Sequence, residues 1–195
     1  TNPLPELQET FDAEHAFLKS LLQAHHAVLD VGCGSGRVAA RLSPHVSKVT
    51  GIDINPYLLD VAKNRCQGKA NIELLEMDAL KTSFASETFD LSYDTYNLIG
   101  SLPRIQRETL VQEMARVTKK GGKVVNITWK DDMKTTRFLQ KYYPSIGIEI
   151  ININALRTIT SKGIFERLSK MELEVYYEKA GIHSFEFKEI NPLWM

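Results

Sequence analysis

The chain has 195 residues, 24 Lys and Arg against 24 Asp and Glu, 43% hydrophobic residues and two cysteines. These figures describe one ordinary globular domain. They exclude a disulfide-stapled scaffold and an overall polycation suited to nucleic acid. No apolar run approaches the roughly 20 residues that span a bilayer, and no signal-peptide pattern opens the chain. With only Cys33 and Cys66, the expected setting is reducing and cytoplasmic.

The zero net charge conceals a division. Residues 1–97 carry 8 basic and 13 acidic side chains, and residues 98–195 carry 16 and 11. The basic residues gather between Arg116 and Lys141, interrupted only by Asp131 and Asp132. Such a run serves either as a solvated face or as an attractor of an acidic substrate.

In chain order, residues 5–24 read as an amphipathic helix carrying Phe11, Phe17, Leu18, Leu21 and Leu22. Residues 27–31 form a short apolar strand that runs into a glycine-rich turn, and residues 37–42 read as helix. A second strand over 48–52 is followed by an Asn55-Pro56 boundary and a helix over 57–66. Residues 71–77 and 89–93 read as third and fourth strands. A helix over 104–119, with Leu110, Met114 and Val117 at helical spacing, is expected to end at Gly121-Gly122 before a fifth strand over 123–128. After Trp129 the pattern loosens, with a β-like stretch over 146–153. Ser169 and Glu172 form a capping box opening a helix to Ala180-Gly181, and residues 184–190 are a final strand candidate. Strands alternating with helices imply right-handed crossovers and a parallel sheet covered on both faces.

The first strand leads into Asp30-Val31-Gly32-Cys33-Gly34-Ser35-Gly36. Glycines between a strand and a helix allow a sharp turn and close approach of a ligand to the backbone. In the dinucleotide fingerprint the last glycine follows the first by five residues; here Gly36 follows Gly32 by four. The second strand ends at Asp53, whose carboxylate can accept both hydroxyls of a ribose. An acid at that position suits more than one nucleoside cofactor.

At these residues the chain resembles the class I S-adenosylmethionine-dependent methyltransferases. Residues 28–36 resemble the first motif of that family, and residues 49–54 its second-strand motif. Met77-Asp78-Ala79 fits the third-strand position, Phe89-Asp90-Leu91 with Asp94 the fourth, and residues 110–123 the helix and turn before strand five. The resemblance is strong over about 27–129 and weaker over 161–191. It implies an α/β fold, a doubly wound Rossmann-like and mostly parallel sheet with helices on both faces. It divides one methyltransferase-like domain into an N-terminal helical cover (1–26), a cofactor-binding core (27–129), an acceptor-side insertion (130–168) and a C-terminal helix and strand (169–195). The family sheet ends in a hairpin whose last strand runs antiparallel between two others. Beyond residue 190 only Asn191-Pro192-Leu193-Trp194-Met195 remain, so that strand is expected to be missing or short, or the 195 residues to be part of a longer chain.

The resemblance also implies roles. Gly32, Cys33 and Gly34 would face the methionine part of S-adenosylmethionine, with Asp30 near its amino group. Asp53 would hold the ribose and Ile54 pack on adenine, while Asp78 and the Ala79 N–H would meet the adenine edge. Tyr93 and Asp94 would lie near the methionyl group and the methyl acceptor. The implied activity is in-line transfer of a methyl group to a nitrogen or oxygen of a small molecule. The alternatives are an NAD(P)-dependent oxidoreductase on a similar sheet, aminopropyl transfer, and a non-catalytic S-adenosylmethionine-binding partner subunit.

Methyl transfer needs alignment and exclusion of water more than it needs a base. The local candidates for a catalytic contribution are Tyr93, Asp94 and Tyr96, with Asn97. Asp94-Thr95-Tyr96-Asn97 lacks the two prolines of the methyltransferases that act on exocyclic base amines, which disfavours a DNA base. Trp129, Phe138, Tyr142 and Tyr143 could line an acceptor pocket or simply fill the core. Lys130, Lys134, Arg137 and Lys141 would suit an anionic acceptor. His15, His25, His26, His45 and His183 show no metal-ligand spacing, so no metal is expected.

Overall fold

The computed structural model describes residues 4–195. Helix α1 (Pro5–Ser20) precedes five strands, β1 (Ala27–Val31), β2 (Lys48–Asp53), β3 (Ile72–Glu76), β4 (Phe89–Asp94) and β5 (Thr118–Asn126). Between them run α2 (Arg37–Leu42), α3 (Pro56–Arg65), α4 (Leu98–Ser101) and α5 (Arg104–Val117). All four pairings are parallel, in the order β3-β2-β1-β4-β5. The order reverses between β1 and β4, the switch point outside which open α/β sheets bind ligands.

Alternation along the strands supplies two cores. Val28, Val49, Leu91 and Tyr93 face α1, α2 and α6 (Met133–Ser145), packing on Leu18, Ala39, Leu42 and Leu139. Leu29, Val31, Ile52 and Phe89 face α5 and α7 (Lys170–Lys179), packing on Leu110, Met114, Leu173 and Tyr177. Helix α3 starts where Asn55 Oδ1 accepts from the Tyr57 and Leu58 N–H groups, with Pro56 at its first position, the favoured way to begin a helix. Ser169 and Glu172 close a reciprocal capping box on α7.

Three departures from the sequence reading have physical causes. First, α5 ends at Val117 rather than at the glycine pair. The register of β4 and β5 slips between Phe89 and Leu91, and residues 119–122 leave the ladder there. Gly121 takes φ 79° in this bulge, and a Cβ on Gly122 would lie 2.7 Å from the Asp90 carbonyl. Second, residues 133–145 form α6, amphipathic and capped by Asp132 on the Thr135 N–H at 2.7 Å. It is followed by a separate antiparallel sheet of β6 (Ile150–Ile153), β7 (Arg157–Thr160) and β8 (Gly163–Glu166).

Third, residues 184–190 make no strand. The antiparallel pairing falls instead on the last three residues. Thr128 exchanges backbone bonds with Met195 at 2.9 and 3.0 Å, the Lys130 N–H donates to the Leu193 carbonyl at 2.9 Å, and Trp129 bridges Trp194. A cavity of about 910 Å³ separates the outer edge of β5 from residues 182–190. It lies along the flank of the sheet, away from the glycine-rich turn.

Trp194 is fully buried against Trp129, with ring centroids 4.7 Å apart. Trp194→Ala is therefore expected to cost about 3–5 kcal/mol, read as a lower midpoint of urea unfolding with an unchanged slope.

Candidate active site at the strand tips

The turn after β1 uses glycine for two reasons. Gly32 and Gly34 take φ 65° and 50°, the left-handed region that L side chains seldom adopt. A Cβ on Gly32 would also meet Leu98 Cδ2 at 2.8 Å, whereas one on Gly34 would have nothing nearer than Leu58 Cδ1 at 4.0 Å. The backbone is thus open to a ligand at Gly34. Its N–H donates to Asp53 Oδ2 at 2.8 Å, and Asp53 Oδ1 accepts from the Asn55 N–H at 2.8 Å. The glycine turn and the tip of β2 are locked side by side. Next to them Ile54 and Tyr57 are 70% and 74% exposed, an apolar shelf at the strand ends. Asp78 is exposed and accepts from the Leu80 N–H at 2.8 Å, with Ala79 half-buried beside it. Cys33 fills the space behind the turn, its N–H on the Ile52 carbonyl at 2.9 Å. Burial pushes its thiol well above the ordinary value, so it carries no thiolate.

A buried polar cluster lies under α1. Asp30 and Tyr93 are register partners on β1 and β4, and both are fully buried. Asp30 Oδ2 and the Tyr93 hydroxyl make no hydrogen bond among the described residues. Burial pushes Asp30 up to about 7, against the pull of Tyr93 and of Arg37. Glu14 of α1 is buried as well, 2.7 Å from Arg37 Nη1, and its carboxyl is also raised by burial. The Arg37 guanidinium lies 3.8 Å from the centre of the Phe11 ring. The apolar pattern of α1 brought out Phe11 and Phe17, which are only half-buried; the face turned inward carries Leu7, Thr10, Glu14 and Leu18. Glu14 and Arg37 were not among the sequence candidates. The signal that could have found Glu14 is its place in that stripe, four residues after Thr10 and four before Leu18.

The three catalytic candidates do not converge. Tyr93 faces α1. Asp94, one residue on, faces the other layer, where it accepts from Asn126 Nδ2, and Asn126 Oδ1 accepts from the Tyr177 hydroxyl at 2.9 Å. Burial pushes Asp94 up to about 8, so it holds its proton at neutral pH. Tyr96 stands at the tip, 39% exposed, its hydroxyl against that of Tyr142. Burial and Tyr142 raise its phenol well above the usual range. Tyr96 and Asn97 both take left-handed φ, 59° and 61°, a costly conformation for a bulky residue that persists only where the surroundings enforce it. Asn97 supplies the enforcement. Its N–H donates to the Ile127 carbonyl at 3.1 Å, its Nδ2 to the Glu166 carbonyl at 3.0 Å, and its Oδ1 accepts from Thr128.

Trp129, Phe138, Tyr142 and Tyr143 come together and are buried, Phe138 and Tyr142 stacked at 5.6 Å, with Tyr96 6.4 Å from Tyr142 and 5.8 Å from Trp129. The basic residues do not join them. Lys130 is held by Asp132 at 3.3 Å and Glu189 at 3.0 Å, and Lys134, Arg137 and Lys141 lie on the exposed face of α6. Among the described residues no group of three or more His, Cys, Asp or Glu is placed to hold a metal ion, and no helix is long and apolar enough to cross a membrane.

Comparison with known proteins agrees with this arrangement. Residues 28–122 match the family model described as a methyltransferase domain. The chain is 36% identical over 125 residues to a ubiquinone biosynthesis O-methyltransferase of Coxiella burnetii, covering 64% of this chain and 50% of that protein. It is 40% identical over 101 residues to a phosphatidylethanolamine N-methyltransferase of Cereibacter sphaeroides, covering 50% and 48%. The chain thus spans about half the length of these relatives. Among solved structures, the PH0226 protein of Pyrococcus horikoshii shares the fold with a TM-score of 0.70 at 20% identity, over 90% of this chain and 82% of that one. Residues 28–122, which hold the glycine-rich turn, Asp53, Asp78 and the β4 tip, are thus similar to a methyltransferase domain.

Folded Asp94 keeps its proton to about pH 8, whereas an unfolded aspartate releases it near pH 4. The unfolded state binds fewer protons in that window, so stability falls as pH rises through it. Asp94→Asn should make the fall in unfolding free energy between pH 5 and 8 shallower, by up to about 1.4 kcal/mol per pH unit, in urea titrations at a series of pH values.

Proposed function

We propose that this chain transfers the methyl group of S-adenosylmethionine to a nitrogen or oxygen of a small-molecule acceptor, in a reducing, cytoplasmic setting. The observation that carries the reading is the bond from the Gly34 N–H to Asp53, which ties the open glycine turn after β1, beside the switch point, to a carboxylate at the tip of β2 that would accept a ribose. The matched relatives, an O- and an N-methyltransferase by name, support the choice of acceptor atoms. The two thiols, both free, support the compartment.

The residues present fit the cofactor. The unpartnered Asp30 Oδ2 and the buried Glu14 carboxyl suit an ammonium, and the nearby Arg37 suits a carboxylate. Gly32, Cys33 and Gly34 would line the methionine part. Asp53 would hold the ribose diol, Ile54 would cover one face of adenine, and Asp78 with the Ala79 N–H would meet its edge. When bound, the sulfonium supplies an activated methyl group and a neutral leaving group. The protein then has to align the acceptor and exclude water. Tyr93 closes the floor of the methionine end, and Tyr96 is the side chain at the tip placed to touch the acceptor. Asp94, protonated and bonded to Asn126, holds the β4 tip rather than removing a proton. The acceptor would lie between the loop after β4 and the insertion of residues 130–168, where Tyr96 meets Tyr142.

Calorimetry with S-adenosylhomocysteine tests the reading. Binding should be lost or weakened at least tenfold in Asp53→Ala, and NADH should not bind; the reverse preference overturns it. An ammonium beside Asp30 favours its ionised form, so binding should release up to one proton and tighten as pH rises from 6 to 8. Titrations in buffers of different ionisation enthalpy would count that proton.

A further inference from the structure

Arg167 follows β8 and is 3% exposed. Its Nε donates to the Ala155 carbonyl at 2.5 Å and its Nη1 to Thr158 Oγ1 at 3.0 Å, so the small sheet fixes the guanidinium in place. Nη2 is buried and makes no hydrogen bond among the described residues. Taking a cation out of water without a counter-ion costs several kcal/mol, and burial accordingly lowers the Arg167 pKa.

The surrounding acids are engaged elsewhere or face solvent. Glu166 pairs with Arg107 at 2.7 Å and Arg157 at 2.6 Å. Asp132 caps α6 and pairs with Lys130, and Asp131 is exposed. The same segment is tied to the reaction end of the sheet. Asn97 Nδ2 bonds the Glu166 carbonyl, and a Cβ on Gly100 would collide with that carbonyl. Tyr143 lies close enough to bear on the Arg167 charge, and its neighbour Tyr142 meets Tyr96. The unpaired nitrogen therefore belongs to the part of the insertion that closes over the tip of β4.

We propose that Arg167 Nη2 anchors a carboxylate on the methyl acceptor. The inference rests on the reading of the preceding subsection, with the acceptor between the loop after β4 and the insertion. One buried cation with one free nitrogen balances one negative charge. A phosphate dianion would leave an uncompensated charge beside Asp131 and Asp132, which favours the carboxylate. Nη2 is itself buried, so the carboxylate reaches it only when neighbouring side chains give way.

Benzoate and the isosteric neutral benzamide serve as probes, titrated calorimetrically into protein saturated with S-adenosylhomocysteine. Benzoate should bind at least tenfold more tightly than benzamide. Arg167→Met should abolish that preference, while Arg167→Lys, which keeps the charge but loses the planar fork, should weaken benzoate about three- to tenfold. Lys134→Glu with Lys141→Glu should leave benzoate unchanged, because those lysines lie on the outer face of α6. Equal binding of the two probes, no benzoate binding, or benzoate binding indifferent to Arg167→Lys overturns the proposal. So does loss of benzoate binding in the surface double variant. If Arg167→Met does not fold, the wild-type preference and Arg167→Lys decide. Failure of S-adenosylhomocysteine to bind the wild type would instead sink the methyltransferase reading, a separate readout.

Discussion

Parallel strands cannot be joined by a hairpin, and crossovers between them are right-handed. Every loop that follows a strand therefore opens at the same end of this sheet, and the reversal between β1 and β4 leaves a crevice there. The glycine turn, Asp53, Asp78 and the Tyr96–Asn97 loop have no local reason to be neighbours. Their proximity comes from five strands in the order β3-β2-β1-β4-β5. The insertion depends on the same geometry, because it is moored by Asn97 and Gly100, which stand just past the end of β4.

The parts of the fold governed by local chemistry were legible from the residues. The first strand was read over its full extent, and Asn55-Pro56, Ser169 and Glu172 marked helix starts that the structure places there. Failures occur where a long-range contact decides. Gly121-Gly122 carries the composition of a helix stop, yet it sits in a bulge because the Asp90 carbonyl leaves no room for a side chain at Gly122. Residues 184–190 alternate as a strand should, but among the described residues no partner strand reaches them. The three catalytic candidates were near one another in sequence, and the pleat sent Tyr93 and Asp94 to opposite faces. Glu14 and Arg167 were invisible for the opposite reason: a buried charge in a polar-looking segment announces itself only when its surroundings are assembled.

The charge division of the sequence resolves in the same way. Much of the basic stretch is consumed pairwise by acids, Arg116 by Glu113, Lys119 by Asp90, Lys120 by Glu87 and Lys130 by Asp132 and Glu189. Most of these pairs are exposed enough to contribute little to stability each, and two of them, Lys119 with Asp90 and Lys120 with Glu87, join the basic half of the sequence to the acidic half. Among the described residues Lys123, Lys134, Arg137 and Lys141 stay exposed on the surface, whereas Arg167, outside this stretch, is a buried guanidinium with an unbonded Nη2.

The outer edge of β5 has a bearing on how copies of this chain meet in a crowded solution. An open strand edge is a template for another chain's backbone, and natural sheets blunt such edges with bulges and lysines. Residues 119–122 interrupt the ladder, and Lys119, Lys120 and Lys123 project from the same stretch. A backbone arriving at this edge would meet a broken register, flanked by Lys123 and by the Lys119–Asp90 and Lys120–Glu87 pairs. The glycine pair that displaced the expected helix end thereby breaks the run of backbone groups that a further strand would need along this stretch.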